Sequence, residues 1–386
     1  MKFQMGRGCA RGLGSLRLLR MFTPRLLAAF NVLAAGSAAF ASEGAGARVV
    51  SAEQMKAIYE EVKTPYKYGV VLDAPAGKKV DCPNVFRHGD RWYMFYIQFE
   101  PAPAEGYSTQ LAVSDDLLHW QALGPVLPQG AAGTWDQANA AAGLALYDPE
   151  WGGSNTLGQF QGKYWLSYLG GDKFGFEGEP LSIGLASTEE PTVGKPWTKL
   201  PEPILRSTDA AARAGERGTL YKSYILRDDS RSLGAPFVMF YNAKGAPTAD
   251  EWIFAAVSDD LKAWRRLGDG PVIANARPAG RTKNVISGDP QVVRMGDVWV
   301  MFYFGYGWQP GAFDTFAASY DLVNWTKWEG SPLVASSEPY DDVFAHKPWL
   351  IKHEGVVYHF YCAAGGKDHH RTIAVATSKD LMTEGR

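Results

Sequence analysis

Ionisable side chains stand at matching places in an internal repeat of this sequence. Asp81, Asp289 and His346 each lie 14 or 15 residues before a tyrosine that belongs to an aromatic segment. Lys222 lies 19 residues before the tyrosine of a segment with a longer turn, and the count gives Ser154 in the remaining segment. Carboxylate and imidazole groups that meet at one place can act as general acid and base. Whether they meet depends on the elements that carry them.

The repeated segment is a turn followed by an aromatic strand, and it occurs five times, at 88–97, 161–170, 233–242, 295–304 and 353–362. The shared tyrosines are 58 to 73 residues apart, which suits a four-stranded propeller blade with insertions better than a helical solenoid. The strands are almost continuously apolar, which is typical of sheets that are covered on both faces.

Two further elements recur after each aromatic strand. A third strand ends in a turn at Ser114, Ser258 or Asp321, whose side-chain oxygens we expect to bond local backbone amides. Fourth strands are predicted at 124–127, 202–205, 270–273 and 331–334. The last repeat has none, whereas residues 66–73 precede the first repeat without a partner. The sequence therefore predicts an all-β, five-bladed β-propeller over residues 65–386, with its N-terminal strand closing the last blade.

The first 41 residues resemble a secretory signal peptide, and residues 42–64 are interpreted as a lead segment. Six basic residues and no acidic residue precede an apolar stretch at 26–40, which ends at a small-x-small site. We expect a periplasmic or secreted protein without a membrane anchor after cleavage; an uncleaved anchor is the alternative. The remaining chain carries 33 basic and 41 acidic side chains, a net charge of −8 that does not attract nucleic acid. The oligomeric state is left open.

Only Cys82 and Cys362 remain after removal of residues 1–41, which allows either one disulfide or two buried free thiols. The second interpretation is favoured. His369 and His370 could border a cleft or bind a metal, but two adjacent histidines without a third ligand are a weak metal motif. No organic cofactor and no metal site are predicted, although an axial calcium ion is left open.

The blade pattern and three polar segments resemble the five-bladed propeller glycosidases of glycoside hydrolase families 43, 117 and 130. The segments are Asp81-Cys82-Pro83-Asn84, Ser287-Gly288-Asp289-Pro290-Gln291 and Ala345-His346-Lys347-Pro348-Trp349. The resemblance covers the chain after residue 41, and the pattern is most similar to family 117 or to an unclassified relative of these families. It implies an enzyme that hydrolyses a glycosidic bond in an oligo- or polysaccharide by general acid and base catalysis, and an inverting outcome is expected.

The resemblance also implies roles for individual residues. Asp81 corresponds to the general base of blade one. Family 43 takes its acid from a blade-three glutamate and tunes it with a blade-two aspartate, but here blade two starts without an acid and Glu216 lies in a loop before Lys222. Family 117 uses a histidine, which would be His346 with Asp289 as its orienting partner. The acid is therefore predicted to be His346 or Glu216.

Sugar binding requires aromatic platforms together with fixed polar groups. The predicted substrate-binding residues are Trp151, Ser154, Asn155, Lys222, Asn242, Lys244, Gln291, Trp308, Asp314, Lys347 and Trp349.

Several alternatives stay open at this point. Asp81 or Asp289 could pair with Lys222 or Lys347, and Glu216 could pair with Arg213 or Arg217. A phosphorylase that binds phosphate through Lys222 and Lys347, or a carbohydrate-binding propeller without catalysis, would also fit the pattern.

Overall fold

The computed structural model describes residues 48–100 and 106–382. The predicted signal peptide at 1–41 lies outside the described residues. The helices are α1 (Ala52–Val62) and a short 3-10 helix (Ala214–Glu216). The strands in chain order are β1 (Tyr66–Leu72), β2 (Lys79–His88), β3 (Arg91–Phe99), β4 (Ser108–Ser114), β5 (Gln121–Leu127), β6 (Asn139–Leu144), β7 (Tyr164–Gly171), β8 (Ser182–Thr188), β9 (Thr198–Lys199), β10 (Thr219–Arg227), β11 (Phe237–Lys244), β12 (Glu251–Ser258), β13 (Trp264–Arg266), β14 (Ile286–Met295), β15 (Val298–Tyr306), β16 (Ala312–Ser319), β17 (Thr326–Lys327), β18 (Phe344–His353), β19 (Val356–Gly365) and β20 (His370–Thr377).

The strands form antiparallel meanders of four. β2 to β5 make one sheet and β6 to β9 make another. β10 to β13 and β14 to β17 are two meanders that a single parallel residue pair, Glu251 with Ile286, joins into an eight-stranded sheet. The last sheet has the order β1-β20-β19-β18. The chain is therefore nearly all-β, as its turn-rich and aromatic sequence predicts.

The N-terminal strand supplies the piece that the last sheet lacks. β1 pairs antiparallel with β20, from Tyr66 opposite Thr377 to Leu72 opposite Ile373. This pairing confirms the prediction that the segment at 66–73 joins the final repeat. It also gives β20 a partner on its outer side, so this edge is not left open.

The repeated aromatic strands are the second strand of each meander and form the core. Their five tyrosines are at most 4% exposed, and all ten residues of β19 are buried. Both faces of these strands are therefore covered, as their unbroken apolar sequence predicts.

The outer parts of the meanders are less regular than predicted. The segment at 124–127 lies within β5, but the other three predicted fourth strands touch the third strand only through single bridges at Leu205, Ile273 and Val334. The Ser-Asp turns are structural, as expected. The Ser114 hydroxyl accepts the Leu117 N–H at 3.0 Å, and similar bonds form at the other turns.

The helix α1 covers part of this framework. Ser51 caps its first turn by accepting the Gln54 N–H at 3.1 Å, and Met55, Ile58 and Val62 bury its apolar face. Across the described ranges, none of the helices combines the length and the apolar character that a membrane span requires.

Candidate active site

Three bulges at the first strands of their meanders build one cavity. β2, β14 and β18 each lose register with the following strand near their N-terminal end. Each bulge holds a non-glycine residue at positive φ directly before a proline: Cys82 at 51°, Asp289 at 53° and Lys347 at 66°. Such conformations cost about 1–3 kcal/mol each and are concentrated at functional sites. The bulges re-aim the neighbouring side chains into the cavity.

The cavity has a volume of about 230 Å³. It brings together six residues that the sequence pointed to, which are Asp81, Lys222, Asn242, Asp289, His346 and Lys347. It also has charged residues that sequence reasoning missed, which are Glu177, Glu251 and Arg371. Aromatic walls are supplied by Tyr107, Phe176, Tyr221, Phe304, Tyr306 and Phe344. A concave site with apolar walls and a few converging polar groups is suited to a small ligand such as a sugar.

Asp81 is the anion of a buried ion triad. One carboxylate oxygen, Oδ2, lies 2.8 Å from Lys347 Nζ and 2.5 Å from Arg371 Nη1, while Oδ1 accepts the Cys82 N–H at 2.9 Å. Burial alone would raise the pKa of Asp81, but the charges of Lys347 and Arg371 hold it far below its usual range. Asp81 is therefore ionised and a weak proton acceptor. The alternative of pairing with Lys347 is confirmed.

His346 is held as a neutral imidazole. Its Nδ1 lies 3.3 Å from the Cys362 carbonyl oxygen, which can only accept, so the ring proton is on Nδ1. Burial and the positive charge of Lys347 lower the pKa of His346 to about 3. The free lone pair is on Nε2, so this geometry suits a hydrogen-bond acceptor rather than the proton donor that the sequence suggested.

Glu251 and Glu177 are two carboxyl groups in the same cavity. Glu251 begins β12, is 9% exposed and accepts a hydrogen bond from Asn242 Nδ2. Burial and the neighbouring Glu177 raise the pKa of Glu251 to about 8. Burial also raises the pKa of Glu177, against the charge of Lys347. Glu251 therefore keeps a proton at neutral pH, as a general acid must.

Asn242 links this carboxyl group to the bulge of β14. Its Oδ1 accepts the Asp289 N–H at 3.4 Å while its Nδ2 donates to Glu251. The Cys82 thiol donates to Asp289 Oδ2 at 3.3 Å. Cys82 and Cys362 are both buried free thiols, which confirms the favoured interpretation.

Glu216 is not part of the cavity. It is fully buried, and its carboxylate pairs with Arg213 at 2.7 Å and with Arg266 at 3.3 Å. Tyr241 also donates to it. This network of opposite charges holds the 3-10 helix against β11. Glu216 therefore does not line the cavity that holds the other predicted catalytic residues, and the alternative of an Arg213 partner is confirmed.

Ser154 does not lie at the start of a first strand, contrary to the prediction. β6 pairs Ala142 with Tyr168, so the first strand of this meander ends at Leu144 and a long hairpin follows it. Ser154 lies in that hairpin and donates to Asp148 Oδ2. Asn155 accepts from the Tyr147 hydroxyl at 2.5 Å.

Three other predicted substrate-binding residues form hydrogen bonds within the protein, away from the cavity lining. Trp151 donates to Glu61 of α1 at 2.8 Å. Gln291 exchanges two hydrogen bonds with the backbone of Leu350, and Trp349 donates to the Val85 carbonyl oxygen at 2.8 Å. These polar groups hold neighbouring strands together.

Lys244, Trp308 and His370 are also absent from the lining of the cavity. Lys244 forms an ion pair with Glu179, and Trp308 packs edge-on against Phe313 at 5.3 Å. His370 lies 2.6 Å from Asp73. Across residues 48–100 and 106–382, no three or more His, Cys, Asp or Glu side chains are grouped to hold a metal ion.

Asp314, which was predicted to bind substrate, belongs to a buried network and does not line the cavity. It is fully buried, and its Oδ2 lies 3.0 Å from His359 Nε2. Burial raises the pKa of Asp314 well above its usual value, and burial lowers the pKa of His359 to about 3. A neutral carboxyl that donates to a neutral imidazole fits both shifts.

We predict that Asp314→Asn makes the protein more stable than the wild type in alkaline solution. A carboxyl with a raised folded pKa contributes stability that is present below its unfolded pKa, near 4, and is lost as pH rises through the folded value. Asparagine keeps a donor to His359 and does not titrate. Urea unfolding at pH 5, 7 and 9 measures the difference, which we expect to grow with pH.

Asp341 provides the matched control, because it is equally buried but pairs with Lys67 at 2.5 Å. Asp341→Asn removes the partner of a buried cation and should destabilise the protein at pH 7. A loss of stability in Asp314→Asn that increases with pH would contradict the neutral-carboxyl interpretation.

Known proteins share this architecture. A solved structure of BT0996, described as an RGII complex, is 46% identical with a TM-score of 0.82, and the match covers 86% of this chain and 97% of that one. A second structure, described as a glycoside hydrolase, is 45% identical with a TM-score of 0.81 and the same coverage.

More distant structures share the fold alone. Zg3597, a family 117 glycoside hydrolase from the marine bacterium Zobellia galactanivorans, is 12% identical with a TM-score of 0.58, and the match covers 82% of this chain and 91% of that one. No protein-family model matches the sequence.

Proposed function

This chain belongs to the glycoside hydrolases and is a glycosidase, and we propose that it is an exported enzyme that hydrolyses an oligosaccharide through two cavity glutamates. The observation that carries this proposal is the buried carboxyl of Glu251, whose pKa is raised to about 8 beside the half-buried Glu177. A protonated acid next to a second carboxyl group is what glycosidic bond cleavage requires.

In the proposed reaction Glu251 gives its proton to the glycosidic oxygen as the bond to the anomeric carbon breaks. The bonding electron pair goes to that oxygen, which leaves as a hydroxyl. Water then adds to the anomeric carbon, and Glu177 takes the proton that water releases. We assign the base to Glu177 because burial raises its pKa, whereas the cations around Asp81 make that carboxylate a weak base.

Asp81 is assigned a positioning role. Its carboxylate holds Lys347 and Arg371 at the cavity wall, where their remaining N–H groups can donate to sugar hydroxyls. His346 Nε2 and Asp289 supply acceptors on the same wall. Sugars need both kinds of partner, so the set fits a polyhydroxylated ligand.

The stereochemical outcome is a further proposal. Inversion, which the sequence-based resemblance implies, requires water between the sugar and Glu177; retention would require Glu177 to bond to the anomeric carbon. Proton NMR of the first-formed product distinguishes the two outcomes, because inversion gives the opposite anomer to that of the substrate.

We also propose that the five meanders are the blades of a five-bladed propeller closed by β1, with residues 1–41 acting as an export signal. The pairing of β1 with β20 and the shared cavity at the bulged strands support the first proposal. The charge pattern of residues 1–41 supports the second. The proposed location is periplasmic or secreted.

The substrate test starts from the similarity to BT0996, which is described in a complex with RGII, so an RGII oligosaccharide is the first probe. A panel of natural oligosaccharides and glycosyl fluorides follows. We expect release of one sugar without a requirement for phosphate. Turnover only with phosphate would favour a phosphorylase, for which Lys222, Lys347 and Arg371 supply cations. Binding without turnover across the panel would favour a non-catalytic carbohydrate-binding protein.

A further inference from the structure

We propose that the loop of residues 172–180, between β7 and β8, binds the leaving-group sugar by stacking it on Phe176. The inference rests on the proposed glycosidase function and adds a second sugar subsite to it. This loop also carries Glu177, so the subsite would lie next to the reacting bond.

Phe176 is an aromatic side chain that lines the cavity and is nevertheless 47% exposed. Its ring centroid lies 5.4 Å from that of Phe99 and 6.0 Å from that of Tyr107, and the Arg371 guanidinium lies 5.5 Å from it. One side of the ring is therefore packed, and the rest is available to a ligand. Apolar sugar faces stack on aromatic rings of this kind.

The loop is fixed at both ends. Gln137 Nε2 donates to the Asp172 carbonyl oxygen at 3.0 Å, and Asn139 Nδ2 donates to the Lys173 carbonyl oxygen at 2.9 Å. At the other end the Tyr221 hydroxyl donates to Glu179 Oε1 at 2.7 Å. Since these bonds hold the loop in place, little ordering cost remains when a sugar binds.

The position of Phe176 indicates which sugar it would meet. The buried groups Asp81, His346 and Glu251 surround the inner part of the cavity, where the sugar that is cleaved off must lie. Phe176 is far more exposed than these groups and therefore borders the opening. A leaving group that departs towards solvent would pass over this ring.

The test compares Phe176→Ala with Phe174→Ala on two substrates. Phe174 is 55% exposed on the same loop and is not a lining residue of the cavity, so it is a matched control. The substrates are the RGII oligosaccharide, or the panel oligosaccharide that is hydrolysed fastest, and the glycosyl fluoride of the same terminal sugar. Fluoride leaves without a ring, so it cannot occupy the subsite.

We expect Phe176→Ala to raise KM for the oligosaccharide about tenfold and to change turnover of the fluoride less than about twofold. Phe174→Ala should leave both unchanged, and Phe176→Tyr should restore the oligosaccharide KM. Equal losses on both substrates, or no loss on the oligosaccharide, would overturn the subsite. A wild type that turns over neither substrate would instead overturn the proposed function, and the subsite with it.

Discussion

Replacing Glu251 by glutamine is expected to lower kcat for an oligosaccharide by a factor of about one hundred to ten thousand. Glutamine keeps the shape of the side chain and an oxygen for Asn242, but it cannot supply the proton that the leaving oxygen needs. A glycosyl fluoride needs no such proton, so the same variant should retain most of its activity on that substrate. Steady-state kinetics on both substrates measure the effect.

The pH profile provides a second readout of the same group. Because burial and Glu177 raise the pKa of Glu251 to about 8, the wild type should lose kcat/KM for the oligosaccharide as pH rises through that value. The alkaline limb should be absent from the residual activity of Glu251→Gln. Glu150→Gln changes an exposed glutamate outside the cavity and should leave the profile unaltered.

Two results would contradict the acid role. One is a Glu251→Gln variant that hydrolyses the oligosaccharide at the wild-type rate. The other is an equal loss on the oligosaccharide and the fluoride, which would place Glu251 in binding or positioning instead.

The repeats predicted most of the architecture because each four-stranded meander must bury one aromatic strand on both faces. Five copies of the same apolar pattern are therefore visible in the sequence. The segment at 66–73 has no partner in the first repeat, and in the structure it pairs with the last sheet. Four counted positions, Asp81, Lys222, Asp289 and His346, consequently line one cavity although they are far apart in the chain.

A fixed distance from the repeated tyrosine did not identify the first strand of the second sheet, because its β6–β7 hairpin is longer than the others. The first strand of the second sheet is β6, and about twenty residues separate it from β7, so a fixed offset from Tyr168 falls in a loop at Ser154. The predicted placement of Glu216 differs from the structure for another reason. Its partner Arg266 lies 50 residues further along the chain, and a contact at that separation has no local signal in one sequence.

The three charged cavity residues that the sequence did not predict all lie outside the first strands of the meanders. Glu251 starts a third strand, Arg371 belongs to β20 and Glu177 lies in a loop, whereas a fixed offset from the repeated tyrosines identifies only positions near first strands. The start of β12 carried a usable signal, because a glutamate begins an apolar strand that is buried at every position except Trp252. The raised pKa of Glu251 depends on Glu177, which is 74 residues away in the chain, and no sequence pattern indicates that the two side chains lie close together.

Asp81→Asn is expected to destabilise the protein by about 3–5 kcal/mol and to abolish most hydrolysis. The variant leaves Lys347 and Arg371 without their anion, although each side chain is only 14% exposed. Because the folded pKa of Asp81 is depressed, its contribution is present above the unfolded pKa, near 4, and is lost only as pH falls towards the folded value. The penalty should therefore be constant between pH 5 and 9.

A double-mutant cycle separates this electrostatic role from a catalytic one. Urea unfolding of Asp81→Asn, Lys347→Met and the double variant should show that the two losses are not additive, because the double variant removes one of the stranded cations together with the anion. Activity should stay low in the double variant even where stability recovers, since the Lys347 ammonium and the Asp81 carboxylate that positions Arg371 are both missing from the cavity wall. An Asp81→Asn protein that is as stable as the wild type, yet inactive on both the oligosaccharide and the fluoride, would instead favour direct participation of Asp81 in the reaction.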